Sequence, residues 1–272
     1  MMLINGAFHH SITPLDRGFA YGDGVFRTIQ LCGGLPMHWP LHYQKLVADC
    51  ATIGIVCPSA ELLMSDLQQL ITLENIEENK LEVLKIIITR GEGARGYKPP
   101  AVVMPTRVLI KSAIPEYATE YAMQGVRLHL CETRLATQPK LAGVKHLNRL
   151  ENILARMEWR DDHIFDGLML SQQEVVIECT MSNLFARFGT SLITPDLSQC
   201  GVAGVTRQRI LGFGRALGFN MHIENIALEK LLQADEMVIC NSLFGAFQVR
   251  ELAQKTWQQQ SLATKIRNAL ST

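Results

Sequence analysis

No charge of either sign dominates this chain: 26 basic side chains balance 26 acidic ones over 272 residues, and neither sign forms a long run. A nucleic-acid-binding surface needs a basic patch or stripe, so that function has no support here. A small anion held by a few local cations stays compatible with the balance. Apolar runs approaching the roughly 18 residues of a membrane span are missing. The start, MMLINGAFHH, has neither the basic region nor the apolar stretch of a signal peptide. Seven cysteines (Cys32, Cys50, Cys57, Cys131, Cys179, Cys200, Cys240) are odd in number, scattered, and form no CxxC pair. That pattern argues against a disulfide framework or zinc knuckle and for a reducing, cytoplasmic compartment.

Catalytic signatures of several classes are missing as well. No serine–histidine–carboxylate set can be ordered along the chain, which leaves a hydrolase unsupported. His38 and His42 have i,i+4 spacing, but Pro40 between them spoils a helical metal site. His9-His10 reads as a hairpin-tip pair, and His146 as a support for its neighbour Lys145. No metal is expected. The chain has no GxxxxGK followed by Ser or Thr, and residues 201–207 are not a GxGxxG after a strand, so neither a P-loop nor a Rossmann reading fits there. Internal repeats and low-complexity segments are absent.

What is present is an ordinary globular composition, 47% hydrophobic and 19% charged, on a chain long enough for one or two domains. Asn5-Gly6 marks a hairpin. Residues 25–32, 81–89 and 107–113 read as strands, and residues 90–100, RGEGARGYKPP, as a loop. Tyr43, Leu46, Val47, Cys50 and Ile53 form a helical face that stops at Gly54; Leu62, Leu63, Leu67, Leu70 and Ile71 form a second. Residues 115–124 are polar and without period, a candidate linker between a small N-terminal domain (1–114) and a larger C-terminal one (125–272). Beyond it, strands are expected at 126–131, 167–170, 175–179, 183–188, 192–194, 221–226 and 237–240. Helices follow Lys145, run from the 201–207 segment to about residue 217, and close the chain. Strands and helices mix without strict alternation, which predicts a mixed α+β or α/β fold in two domains.

Three segments carry chemistry. In LAGVKHLNRLEN, Lys145 stands at the mouth of a helix marked by Leu147, Leu150, Ile153, Leu154 and Met157; alone it would pass for a surface lysine. GVAGVTR at 201–207 has the form of an anion site, with Gly204 allowing close approach, Val205 and Thr206 supplying N–H groups, and Thr206 adding a hydroxyl. In VVIECTMSNLF, Glu178 places a carboxylate inside an apolar strand, costly unless paired. A protonated pyridine nitrogen facing it would explain it; an exposed position on the alternate strand face would too.

Taken in order, YGDGVF, HYQKL, RGEGARGY, AGVKHLN, VIECTMSNLF, GVAGVTR and VICNS resemble the fold-type IV pyridoxal-phosphate enzymes, the family that includes branched-chain and D-amino acid aminotransferases. The resemblance runs from about residue 3 to residue 241. It implies a two-domain fold, a pyridoxal 5'-phosphate cofactor and a homodimer. It further implies that Lys145 forms a Schiff base with the cofactor and later shuttles protons, and that Glu178 pairs with the ring nitrogen. Gly204, Val205, Thr206, Asn241 and Ser242 would bind the phosphate. Lys45 falls where the family has a phosphate-binding arginine, so a point charge replaces a bidentate fork. Arg95 and Tyr97 match loop positions that engage substrate carboxylates, Arg107 is a second candidate, and Phe26 and Thr28 would line the pocket. Three glycines around Arg90 and Arg95 suggest a mobile clamp for an anion.

Within the family, RGEGARGY, LAGVKHLNRLEN and LQADEMVICNSL resemble the lyase branch, which converts aminodeoxychorismate to 4-aminobenzoate and pyruvate. The competing expectation is an aminotransferase for D-amino or branched-chain amino acids on the same cofactor site. A third, a ligand-binding protein that has lost the chemistry, would lack the lysine or the glutamate, and both are present. A free lysine has a pKa near about 10.4, so desolvation and the cofactor must lower it before the amine can take a proton.

Overall fold

The computed structural model describes residues 1–8, 11–72 and 78–271. The chain divides into two compact units, one formed by Met1–Pro115 with Val144–Asn148, the other by Glu116–Gly143 with Arg149–Thr272. The lysine segment thus counts with the first unit, although it lies within the stretch expected to form the C-terminal domain. Its backbone pairs with an N-terminal strand, and pairing outweighs position along the chain.

The first unit contains β1 (Met2–Ile4), α1 (Arg17–Tyr21), β2 (Gly24–Cys32), β3 (Leu35–Pro36), α2 (Trp39–Thr52), α3 (Ala60–Thr72), β4 (Leu81–Thr89) and β5 (Thr106–Ala113). Among the described residues its strands form one antiparallel sheet of order β1-β5-β4-β2-β3. Alternation along β2 sends Val25, Ile29 and Leu31 into a core shared with Leu46 and Cys50 of α2 and Leu63, Leu67 and Leu70 of α3. Phe26, Thr28 and Gln30 face the other side. Asn5 and Gly6 both take positive φ, and Ile4 and Ala7 exchange backbone bonds of 2.9 and 3.0 Å, the hairpin that the Asn-Gly pair predicts.

The second unit contains α4 (Thr119–Gln124), β6 (Val126–Leu135), α5 (Leu150–Arg156), β7 (Ile164–Ser171), β8 (Val175–Cys179), β9 (Asn183–Phe188), β10 (Ser191–Pro195), α6 (Val205–Phe213), β11 (Asn220–Glu224), β12 (Ile226–Ala227), α7 (Leu228–Leu231), β13 (Glu236–Asn241), β14 (Gly245–Leu252), β15 (Lys255–Thr256) and α8 (Leu262–Leu270). Its described strands join in one mixed sheet, β11-β10-β9-β13-β14-β6-β7-β8-β12, with β15 beside β14. The pairs β10–β11, β14–β6 and β6–β7 are parallel. Beneath it α8 buries Leu262, Ile266 and Leu270 against Phe185, Ile210 and Val238. Residues 115–124, read from sequence as a linker, are more ordered than that: Thr119–Gln124 is helical, and Tyr117 and Tyr121 pack with Phe165, Phe244 and Phe247 at ring separations of 5.1–6.1 Å. The segment's two tyrosines stand four residues apart, a helical spacing too short by itself to mark a packed element, so packing reveals their role. Among the described residues no helix is long and apolar enough to cross a membrane.

Candidate active site

In the first unit, Val144–Asn148 runs as an extended strip along the N-terminal half of β2. The Phe26 N–H donates to the Lys145 carbonyl and the Leu147 N–H to the Gly24 carbonyl, both at 3.0 Å, with Val25 opposite His146. Lys145 is therefore held on a strand-like edge, and α5 begins only at Leu150, which corrects the expectation that the lysine stands at the mouth of a helix. Alternation puts Val144 in the core, 3% exposed. Lys145 takes the opposite face, its Nζ 4.7 Å from the centre of the Phe26 ring. Thr28 lies on that face of β2, opposite Lys85 of β4, whose Nζ is 5.2 Å from the same ring. Sequence reasoning missed Lys85; once β2 and β4 are paired, its register against Thr28 finds it. Two ammonium groups against one aromatic ring make an electropositive, partly apolar platform.

Lys45 lies on α2 and its Nζ is bonded to Asp49, one turn on. The same carboxylate binds the buried Arg27 of β2 and the Lys145 backbone N–H. Burial lowers the Lys45 ammonium to about 7, with the Arg27 and Lys145 charges acting in the same direction. His42 is buried on α2, and His9 and His10 lie outside the described residues.

The glycine loop after β4 is anchored at its base. Arg90 is 7% exposed and bonds both carboxylate oxygens of Asp23 (2.7 and 3.0 Å) and the carbonyls of Ile53 and Gly54. Arg17 donates to Asp23 and to the carbonyls of Gly96 and Tyr97. Burial alone would raise the Asp23 carboxyl, but its bonds to Arg90 and Arg17 hold it below the usual range. Arg90 is thus a tether and not half of a mobile clamp, because its guanidinium is consumed by two carbonyls and the Asp23 carboxylate. Residues 91–96 do spell GxGxxG after a strand, yet no helix follows them, so the phosphate-binding geometry is absent. Arg95 and Tyr97 sit at the exposed tip, where Tyr97 is 86% exposed and its ring lies 5.6 Å from that of Tyr21.

Arg107 separates from the other substrate candidates. It pairs with Ile88, which pairs with Val25, so it shares the helix-covered face of the sheet. There it binds Asp66 of α3 at 2.5 Å. Phe26 and Thr28 lie on the opposite face. A one-residue parity decides this, and the sequence could not supply the register across three strands.

The second unit carries the anion-site residues. Glu178 on β8 is 3% exposed, and its Oε2 accepts the Val202 N–H at 2.8 Å and the Asn183 amide at 3.4 Å. Asn183 also binds the Val202 carbonyl and the Gly204 N–H. The loop 201–204 is thereby tied to the strands that bear the glutamate. A Cβ on Gly201, where φ is +84°, would meet Ile177 Cγ2 at 2.7 Å; one on Gly204 would meet Asn183 Oδ1 at 2.4 Å. Gly204 is the N-cap of α6 and offers no side chain to its first amides, those of Val205 and Thr206. The Thr206 and Ser242 hydroxyls meet at 3.2 Å. Asn241 spends its carboxamide oxygen on the Leu243 and Phe244 N–H groups, building the turn that presents Ser242. Arg207 turns away to Thr194 and the Pro195 carbonyl. An uncapped helix start with two convergent hydroxyls suits a phosphate, and the buried Glu178 carboxylate on β8 suits a protonated ring nitrogen. This donor set fits pyridoxal phosphate.

Residues 24–252 match the family model described as amino-transferase class IV, and the chain belongs to that family. It is 37% identical to an aminodeoxychorismate lyase of Vibrio harveyi, across 90% of this chain and 89% of that one. Its fold superposes with a TM-score of 0.93 on the crystal structure of a 4-amino-4-deoxychorismate lyase from Pseudomonas aeruginosa, at 40% identity over 99% and 98% of the two chains. A D-alanine aminotransferase of Bacillus licheniformis is 24% identical, over 89% of this chain and 83% of its own.

Proposed function

We propose that this protein is a pyridoxal-phosphate-dependent lyase converting aminodeoxychorismate to 4-aminobenzoate and pyruvate. The observation that carries this reading is the placement of Lys145. Its backbone is locked to β2 and its amine lies over Phe26, on a chain with 37–40% identity to proteins named for that reaction. Bound pyridoxal phosphate supplies an aldehyde that condenses with amines and a ring that withdraws electrons. Glu178 holds the proton on the ring nitrogen. Val205, Thr206 and Ser242 bind the phosphate through N–H and O–H donors. Lys145 Nζ, set beside the Phe26 ring, takes the proton from the amino-bearing ring carbon of the substrate. The electron pair left behind expels the neighbouring ether oxygen, the C–O bond breaks, and the substrate ring becomes aromatic. The departing enolpyruvate takes up a proton at its methylene carbon and becomes pyruvate. Arg95 and Tyr97 at the loop tip, with Lys85 beside Phe26, provide donors for the substrate carboxylates.

A homodimer belongs to this reading. Leu150, Ile153, Leu154 and Met157 recur at helical spacing along and just beyond α5, yet stand 53–72% exposed. An apolar stripe of that kind is an interface when it is not a core. A cytoplasmic location is supported by the cysteines, which are free thiols.

An absorption spectrum of the purified protein tests the assignment first. A visible cofactor band in the parent that is lost in Lys145→Ala, with 4-aminobenzoate and pyruvate appearing together from aminodeoxychorismate, is the expected result. A band that instead converts to the amine form of the cofactor on adding D-alanine or a branched-chain amino acid, with no aromatic product, would establish the aminotransferase in its place.

A further inference from the structure

Asp49 lies on α2 with 1% exposure, and its two oxygens serve three donors from three segments. Oδ2 accepts from Arg27 of β2 and from the backbone N–H of Lys145, the latter at 3.3 Å. Oδ1 accepts from Lys45 on its own helix. Arg27 is itself 3% exposed, its Nε has no hydrogen-bond partner among the described residues, and burial lowers its guanidinium to about 10. A buried cation of this kind needs a carboxylate, since removing one partner of a buried pair leaves the other uncompensated. Charge balance alone, however, does not require the carboxylate to reach the Lys145 amide.

We propose that Asp49 is a positioning residue of the Lys145 site: it fixes the Lys145 peptide from the α2 side while bonding Arg27 and Lys45, so that one carboxylate sets the place of the lysine and of a neighbouring ammonium. The inference rests on the reading that Lys145 carries the cofactor. From the β2 side, the strip is held by the Phe26 and Leu147 bonds, which fix its register. The Asp49 contact fixes it from α2, and sub-ångström freedom at a catalytic amine is costly to rate.

Two double variants separate positioning from charge balance. Arg27→Met with Asp49→Ala removes the buried guanidinium together with its partner, so no guanidinium is left uncompensated, and Lys45 loses its carboxylate equally in both doubles. Arg27→Met with Asp49→Asn does the same but keeps an amide oxygen able to accept the Lys145 N–H. Each is compared with the parent by thermal melting, cofactor dissociation constant, visible circular dichroism of the bound cofactor, kcat and KM. The expected result is that both doubles melt near the parent. The alanine double loses at least about tenfold in kcat with an altered dichroic band and little change in KM, and the asparagine double recovers both properties to within about threefold. An alanine double that matches the parent in kcat, dichroism and cofactor retention overturns the inference, leaving Asp49 as a counter-ion of Arg27. Lys145→Ala is measured alongside. Should it keep the parent's visible band, the reading of Lys145 falls and the inference with it; should it lose the band while the alanine double matches the parent, only the inference falls.

Discussion

At the residue scale, Lys45 stands where the family resemblance leads one to expect a phosphate-binding arginine. Where an arginine would remain charged at any accessible pH, this chain has a lysine sharing a single buried carboxylate with Arg27 and the Lys145 amide. One negative charge cannot balance every cation nearby, which is why burial, with Arg27 and Lys145, brings the Lys45 ammonium to about 7. Its value in the unfolded chain is higher, 10.5, so between these limits the unfolded state binds more protons and stability rises with pH. Charged Lys45 is therefore a full liability below about pH 7, one that shrinks steadily as pH rises towards 10.5. Lys45→Met is expected to stabilise the protein more at pH 6 than at pH 9, with a change in slope of up to about 1.4 kcal/mol per pH unit; melting both proteins across that range checks it. A larger benefit at pH 9 would contradict the assignment. Neither Asp49 nor Arg27 announces itself in the sequence, since nothing in their spacing places a β2 residue against an α2 residue. Glu178 stood out in the sequence because a carboxylate in an apolar strand is anomalous locally, whereas Lys145 alone would pass for a surface lysine and was singled out by the segments around it.

At the scale of elements, the segment 201–213 couples a glycine turn to a helix start. Gly201 combines a left-handed φ with a close neighbour, Ile177, and the residue after it gives its N–H to Glu178. A side chain there must shift the backbone and that bond together. Gly201→Ala is expected to cost about 1–3 kcal/mol in stability and to weaken cofactor retention disproportionately, read as a dissociation constant on protein that still folds. An unchanged constant would mean that the loop does not hold the cofactor. Helix α5 teaches the opposite lesson about periodicity. Its 3.6-residue spacing predicted the helix, but the stripe it marks faces out, and only Ala155 within α5 is buried. Period reveals amphipathicity; it does not say which surface will cover the apolar side. Arg107 was misplaced for a related reason, because strand parity fixes a face only once the neighbouring strands are in register.

On the scale of the whole molecule, the exposed α5 stripe carries a prediction about assembly. Paired Leu150→Glu and Met157→Glu substitutions should leave folding intact, since both side chains are already more than two-thirds exposed, and should move the sedimentation of the protein from dimer to monomer. A parent that sediments as a monomer would end the homodimer reading. The division into units follows contacts and not chain order: residues 144–148 leave the second unit's stretch of sequence to pair with β2. Most of the strands and the two core helices of the first unit were written in local patterns of hydrophobicity, because burial imposes periods of 2 and 3.6 on adjacent residues; β14, at Gly245–Leu252, was not among the strands expected. The family was legible too, through short motifs in a fixed order along the chain. What tertiary structure alone decided was the company each residue keeps: Asp49 against Lys145, Arg90 on Asp23, Arg107 on the far face of its sheet, Lys85 beside Phe26. These are pairings between residues distant in sequence, set by strand register and packing, and no local pattern encodes them.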